Sequence, residues 1–419
     1  MSAIRVVVPL LAFTLIATNL PAGDPVKMRR ARLGHRASQE PVTDDMRAAA
    51  RSANAFAFDL YTELNGQDSD GNFFFSPAGL WSVLTVVSAG ANGETESQLR
   101  DVLHVNLPQD RILTACGRLN PGSDASGDGV ALNMANRIWT AWNRPPMRAY
   151  LTRVRKACDE WPVRIDFTNS RQAARAINRW VEQKTRGKIT GLVSPGSLPS
   201  DTQILLTSAS YFNAKWQSPF NEARTKEEPF QLVGGGQVPV RMMHQTFRFR
   251  YGESEGLQLV ELPYAGGDYA MIILLPKNVG FDRLEPALTT EALETWLAEI
   301  EHRRVELSVP RFSTSARMQL AEVLGQMGMP LAFSGSADFS RMSPHRLFRI
   351  TEVAHAGSIT VNEKATEAAT ATKLLGGLGG GSEPQPPVEF RADRPFVFLI
   401  RDVRTGLILY LGRVMDPTQ

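Results

Sequence analysis

Apolar residues follow two rhythms along this chain. In the first hundred residues, Ala53, Phe56, Leu60, Tyr61 and Leu64 recur at three- and four-residue spacing, the period of one helix face. The pattern predicts a helix that starts after Asp44-Asp45 and stops at Asn65-Gly66. Asn72-Phe73-Phe74-Phe75 reads as a short buried strand. Ser76-Pro77 then opens a second helix, serine as cap and proline in the first turn, running through Leu80, Leu84 and Val87. Gly90-Ala91-Asn92-Gly93 breaks it, and Glu94-Thr95 begins another. Further on, short apolar runs bounded by turn residues take over. Residues 131–138, 163–167, 204–212, 257–262, 269–275, 305–309, 348–353 and 396–400 read as strands, several of them apolar on both faces and so central. Helical spacing intervenes at 173–184, 284–300 and 316–326. Without a regular strand–helix alternation, an internal repeat or a long linker, the order predicts an α+β fold.

Composition adds little until the ends are considered. The formal net charge of +3 on 419 residues argues against a nucleic-acid binder. At the N-terminus, Arg5 precedes about a dozen apolar residues and then Asn19, Pro21, Ala22 and Gly23, the layout of a secretory signal. The run is shorter than the roughly 20 apolar residues a bilayer span needs, and no other run is longer, so no membrane contact is expected. Residues 1–22 therefore read as a signal peptide and the product as secreted, extracellular or periplasmic. Residues 23–46 read as a disordered lead-in, charged and aperiodic. Its basic run, Arg29 to Arg36, reads as a solvated tail, with polyanion contact the alternative.

Candidate chemistry is sparse. Gly252-Glu253-Ser254-Glu255-Gly256 matches G-x-S-x-G, but that elbow needs a helix after it, and here an apolar strand run follows. Tyr264 to Tyr269 reads as a turn. The cysteines, Cys116 and Cys158, lack C-x-x-C spacing, and their pairing stays open. The six histidines lack metal spacing. The residues offer no catalytic constellation, metal site or cofactor site, and the chain reads as a non-enzyme.

A set of motifs resembles the serpin family. They are Phe74-Phe75-Ser76-Pro77; Gly90 to Thr95; Leu132-Asn-Met-Ala-Asn136; Ile177-Asn178-Arg179-Trp180-Val181 with Thr185 to Ile189; Tyr211 to Trp216 with Phe220; Leu262-Pro263-Tyr264; Ala337-Asp338-Phe339-Ser340; and Phe390 to Phe396. They run in the family's order from about residue 47 to the end. The resemblance implies a single domain over 47–419, with three β-sheets, eight or nine helices and an exposed reactive-centre loop. It implies a monomer that inhibits an extracellular serine protease as a suicide substrate: the loop is cut, an acyl-enzyme forms, and loop insertion into the main sheet traps the covalent complex. The alternative is a non-inhibitory serpin, a carrier, chaperone or storage protein.

The resemblance assigns a loop hinge to Glu363, Lys364, Ala365, Thr366, Glu367, Ala368, Ala369, Thr370 and Ala371. Thr366, Ala368, Thr370 and Thr372 share one strand face, and none is large or charged, as entry into a packed sheet requires. Alanine stands at 365 where the family has glycine, which narrows the backbone range. Scissile-bond candidates are Gly379 and Gly380, reached by counting from Glu363, and Leu375 and Leu378, the large apolar side chains of the loop; counting back from Pro395 falls nearer Glu383-Pro384. No arginine occurs in 365–390, so elastase-, chymotrypsin- or subtilisin-like targets are expected. A sheet latch is assigned to Ser76, Ser208 and His355, with Ser208 where the family has asparagine. Trp216 takes the family's position at the sheet top.

Overall fold

The computed structural model describes residues 41–67, 71–120, 125–127, 129–157, 162–277, 280–345, 348–364 and 386–419. The N-terminal half carries helices α1 (Asp44–Gln67), α2 (Pro77–Ser88), α3 (Gly93–Val102), α4 (Gln109–Leu119), α5 (Arg148–Ala157) and α6 (Ser170–Lys184), with strands β1 (Phe73–Phe75), β2 (Ala125–Gly127), β3 (Val130–Ala141), β4 (Val163–Ile165) and β5 (Ile204–Ala214). Strands β6 (Lys226–Gln231), β7 (Gln237–Ser254), β8 (Leu257–Pro263) and β9 (Tyr269–Pro276) follow. Then come α7 (Phe281–Leu284), α8 (Thr290–Glu299), β10 (Glu301–Pro310), β11 (Phe312–Gln319), α9 (Ala321–Gln326) and β12 (Ile350–Val361). The chain ends with β13 (Val388–Arg391), β14 (Phe396–Asp402) and β15 (Ile408–Val414). The first helix begins at Asp44 itself, inside the stretch expected as lead-in, with two acids favourably placed in its first turn.

The strands form two hydrogen-bonded networks. One runs β11-β12-β5-β3-β2, with β4 on β3. The other runs β1-β15-β14-β9-β8-β7-β10-β13, with β6 on β7. The three expected sheets count as two networks because β7 is one continuous strand. Its first part pairs with β6 and its middle with β10, while Arg250–Ser254 pairs with β8.

The helix expected over 316–326 is corrected by the structure. Residues up to Gln319 belong to β11, and only Ala321–Gln326 is helical. Period two wins there, because β11 pairs residue for residue with β12, from Phe312 opposite Val361 to Gln319 opposite Ala354. Helices α4 and α5 had not been expected. Tyr150 and Val154 are the fully buried side chains described on α5, too short a stripe to stand out in a basic segment.

All twelve residues of α2 are buried, because it lies between the networks, against β15 on one side and β3 and β5 on the other. On β5, Leu206 and Phe212 face this core. Leu205 and Ala209 face the opposite side, where α6 packs through Ala173, Ala174, Ile177 and Val181. On β12, Val353, Ile359 and Val361 face the main core, and Ala354 and Ala356 face the cluster that includes α6. The six-stranded sheet therefore has a helix on each side.

Candidate functional site

β12 and β5 are hydrogen-bonded neighbours and run parallel, in register from Ile350 opposite Ile204 to Ile359 opposite Phe212. Both flanking ladders, β11 on β12 and β3 on β5, are antiparallel. A strand entering between β5 and β12 and running antiparallel to both would convert this parallel junction into antiparallel ladders, which are slightly more stable per residue. The segment that begins where β12 ends is the one expected to supply that strand.

The end of β12 is held by a polar clamp. Trp216, 4 % exposed, stacks on Tyr264 with ring centroids 4.5 Å apart, and its indole N–H donates to the Asn362 carbonyl at 2.9 Å. Glu363 follows, 2 % exposed. Its carboxylate accepts from Arg311 Nε at 2.7 Å and from the Thr225 hydroxyl, and its carbonyl accepts from the Phe220 amide at 3.1 Å. Burial pushes the Glu363 carboxyl up, but the bonds from Arg311 and Thr225 outweigh it and hold the group below the usual carboxylate range. Lys364 pairs with Glu222 at 3.1 Å on the surface. Arg311 and Thr225 had not been singled out. The signal for Arg311 is the β11–β12 register: with Phe312 opposite Val361, the residue before Phe312 ends beside Glu363.

The latch residues do come together, in the middle of the same junction. Ser208 and His355 are register partners across β5 and β12, and Asn136 is opposite Ser208 on β3. Beneath the row lies the start of α2. The Ser76 amide donates to His355 Nε2 at 3.1 Å, which puts the ring proton on Nδ1. Burial pushes this imidazole down to about 4, against a smaller opposing pull from the Ser208 backbone, so it is neutral at physiological pH.

Two expectations change here. Ser76 sits at the cap position of α2, but its side chain makes no capping bond. The latch is also not closed through side chains. Ser76 Oγ, Ser208 Oγ, His355 Nδ1 and both polar atoms of the Asn136 amide are buried without hydrogen-bond partners. Gly79 on α2 is what lets the row pack so close, since a Cβ there would stand 2.7 Å from Ser208 Oγ and 3.0 Å from Asn136 Oδ1. Asn136 lay in a quoted motif, but its place beside Ser208 needed the strand register to show it.

Ala365, Thr366, Glu367, Ala368, Ala369, Thr370 and Ala371 lie outside the described residues, as do Leu375, Leu378, Gly379 and Gly380. Beyond them, β13 pairs with β10 and is tied to β6 by Arg391, which donates to Glu228 at 2.5 Å. The G-x-S-x-G match is a hairpin: Glu255 and Gly256 both have positive φ, and Ser254 pairs with Leu257. No helix follows it, so the geometry of a nucleophile elbow is missing. Cys116 is a free buried thiol, pushed up to about 11 by burial, and Cys158 lies outside the described residues.

A family profile described as Serpin (serine protease inhibitor) matches residues 51–417. An uncharacterised serpin-like protein of Thermococcus kodakarensis is 37 % identical over 368 residues, 87 % of this chain and 84 % of that one. Leukocyte elastase inhibitor A of Mus musculus is 35 % identical over 378 residues, 87 % of this chain and 99 % of that one. Among solved structures, human thyroxine-binding globulin in complex with its hormone superposes with a TM-score of 0.80 at 27 % identity, covering 90 % of this chain and all of the other.

Proposed function

The chain belongs to the serpin family, and from that premise we propose that it is a suicide inhibitor of an extracellular serine protease. The observation that carries the reading is the parallel β5·β12 junction with a clamped hinge at its end. The protease serine attacks a peptide bond in the loop after β12; that bond breaks, the acyl ester forms on the upstream side, and the amine end leaves with the downstream segment. The freed strand enters between β5 and β12, and the attached protease is displaced before water reaches the ester. At about 1 kcal/mol net per hydrogen bond, ordering ten or so residues releases on the order of ten kcal/mol. That is comparable with a whole domain's stability margin of about 5–15 kcal/mol. The uncut form is then held by kinetics rather than by equilibrium.

Thr366 is assigned as the first inward side chain of the inserting strand and Glu367 as an outward one. Thr366→Arg drives an unpaired charge under the sheet, where burial is very costly. Insertion slows, cleavage does not, and the inhibitor becomes a substrate. Glu367→Arg leaves inhibition nearly intact. The assay counts inhibitor molecules consumed per protease inactivated, against elastase-, chymotrypsin- and subtilisin-like enzymes. Equal counts for the wild type and both variants sink the insertion mechanism. They favour a second reading as a non-inhibitory carrier, which likeness to a hormone-binding globulin supports. We also propose export, with removal of residues 1–22. N-terminal sequencing of the secreted protein tests it, and a mature chain starting at Met1 contradicts it.

A further inference from the structure

The connection from α6 back to β5, residues 185–203, packs on both strands of the junction. It buries Ile189, Leu192 and Val193 in the cluster that also holds Ala209 of β5 and Ala356 of β12. It is fixed to α6 as well. Thr185 Oγ1 accepts from the Ile189 amide at 3.1 Å, and the Asn178 side chain bonds both ways with Val193, at 2.8 and 2.9 Å.

The ties from this unit to the sheet fall on two sides of the junction. Trp180 is engaged edge-on with Trp139 of β3, and Arg137, also on β3, covers the Trp180 ring at 4.1 Å. Lys188 stands 5.5 Å from the ring centre of Tyr211 on β5. Arg317 holds from the other side. It lies on β11 opposite Ala356, so its side chain leaves the sheet on the α6 face. There its guanidinium donates to the Thr190 carbonyl at 2.6 Å. This bond reaches from β11 past β12 to a segment fixed on α6. Both residues are exposed, and β11 is already paired with β12 at eight positions, so the fold of β11 does not need it.

A strand entering between β5 and β12 moves β12 and β11 away from β5 by about one strand spacing, ~4.8 Å. The ties on β3 and β5 keep their lengths if α6 stays with those strands. The bond from Arg317 does not, because donor and acceptor must stay within about 3.5 Å. We infer that Arg317 is a positioning residue that brakes insertion: its bond to Thr190 holds β11 and β12 to the α6 unit and must break before the junction admits a strand. The inference rests on the insertion reading above and names a side chain that sets its rate. That rate competes with hydrolysis of the acyl-enzyme.

The test needs no protease. A synthetic peptide with the sequence of residues 365–378 is offered to the intact full chain, and its uptake is followed on native gels and by the gain in heat resistance. Arg317→Ala should take up the peptide about fivefold faster than the wild type, the factor that one net hydrogen bond supplies. Arg317→Lys, which keeps a donor for the carbonyl, should stay near the wild-type rate. Lys188→Ala, which removes a tie on the β5 side, should leave the rate unchanged. Once the peptide is in place, Arg317→Ala and the wild type should unfold at the same midpoint, since the bond is gone from both. Peptide uptake by none of these proteins sinks the insertion reading and the brake with it. Uptake at equal rates by the wild type and Arg317→Ala overturns the brake alone, because the side chain then follows the moving strands. Equal acceleration in Lys188→Ala also overturns it, by showing a general loosening of α6.

Discussion

Two polar clusters sit on the same strand junction and are built in opposite ways. At the end of β12, the Glu363 carboxylate is engaged by Arg311 and Thr225, its carbonyl by Phe220, and the preceding carbonyl by Trp216. Halfway along the junction, Ser76, Asn136, Ser208 and His355 are equally buried, yet one backbone-to-ring hydrogen bond joins them. The contrast shows where such a sheet can part. Separating the strands at the clamp breaks charge-assisted bonds, whereas at the row it breaks the backbone ladder alone and gives unpaired side chains new partners. In the proposed insertion, the clamp marks where the strand enters and the row lines its path.

The largest expected effect comes from breaking the clamp. Arg311→Ala leaves the Glu363 carboxylate buried, and removing one partner of a buried pair costs about 3–5 kcal/mol. Arg311 is itself 38 % exposed, so the lower end, about 3 kcal/mol, is expected. The variant should unfold at lower denaturant and form polymers on mild warming, read by denaturation and native gels. Because the Glu363 carboxyl is depressed in the folded state, its contribution is present above the unfolded pKa and fades as pH falls through the folded one. Arg311→Ala should flatten that acid-side slope, and an unchanged slope removes the clamp from the account.

The row gives a different pH window. His355 is held at about 4 when folded and returns to about 6.5 when unfolded, so the unfolded state takes up a proton first as pH falls. Stability should therefore drop by about 3 kcal/mol between pH 6.5 and 4, a depressed group losing its contribution downward. In His355→Ala this slope disappears, at the expense of the unpaired Ser76 amide, about 1–3 kcal/mol. Denaturation at several pH values separates the two effects, and a slope retained in the variant assigns it to other groups.

Gly79→Ala should give the smallest effect. Alanine adds up to about 1 kcal/mol of helix propensity. Its Cβ would meet Ser208 Oγ at 2.7 Å, an overlap that costs about 1–3 kcal/mol. A net loss of about 1 kcal/mol is expected, and a net gain would show that the row has slack.

Much of this comparison was visible before the coordinates. The family resemblance picked out Ser76, Ser208, His355, Trp216 and Glu363, and the structure gathers them along one junction; of the five, Ser208 lies in a run read as a strand and Ser76 opens a helix, while His355, Trp216 and Glu363 lie outside the runs whose period is plain. What stayed hidden depends on register. Arg311 and Glu363 are 52 residues apart, and only the pairing of β11 with β12 brings them together. Asn136 became part of the row only once β3 was aligned with β5. Strand β11 was misread because Ala316, Met318 and Leu320 suit either period until a partner strand chooses.

The central claim is that a strand must enter between β5 and β12, and a reversible lock tests it most directly. Tyr211 and Ser358 are register partners on these two strands, neither fully buried. Adjacent strands lie within the Cα separation of about 4.4–6.8 Å that a disulfide needs. Cys116 is buried and protonated, so it should not compete. Tyr211→Cys with Ser358→Cys, oxidised, should be cut by the target protease without forming the covalent complex, and reductant should restore the complex. An oxidised lock that still traps protease at the wild-type ratio would contradict insertion between β5 and β12.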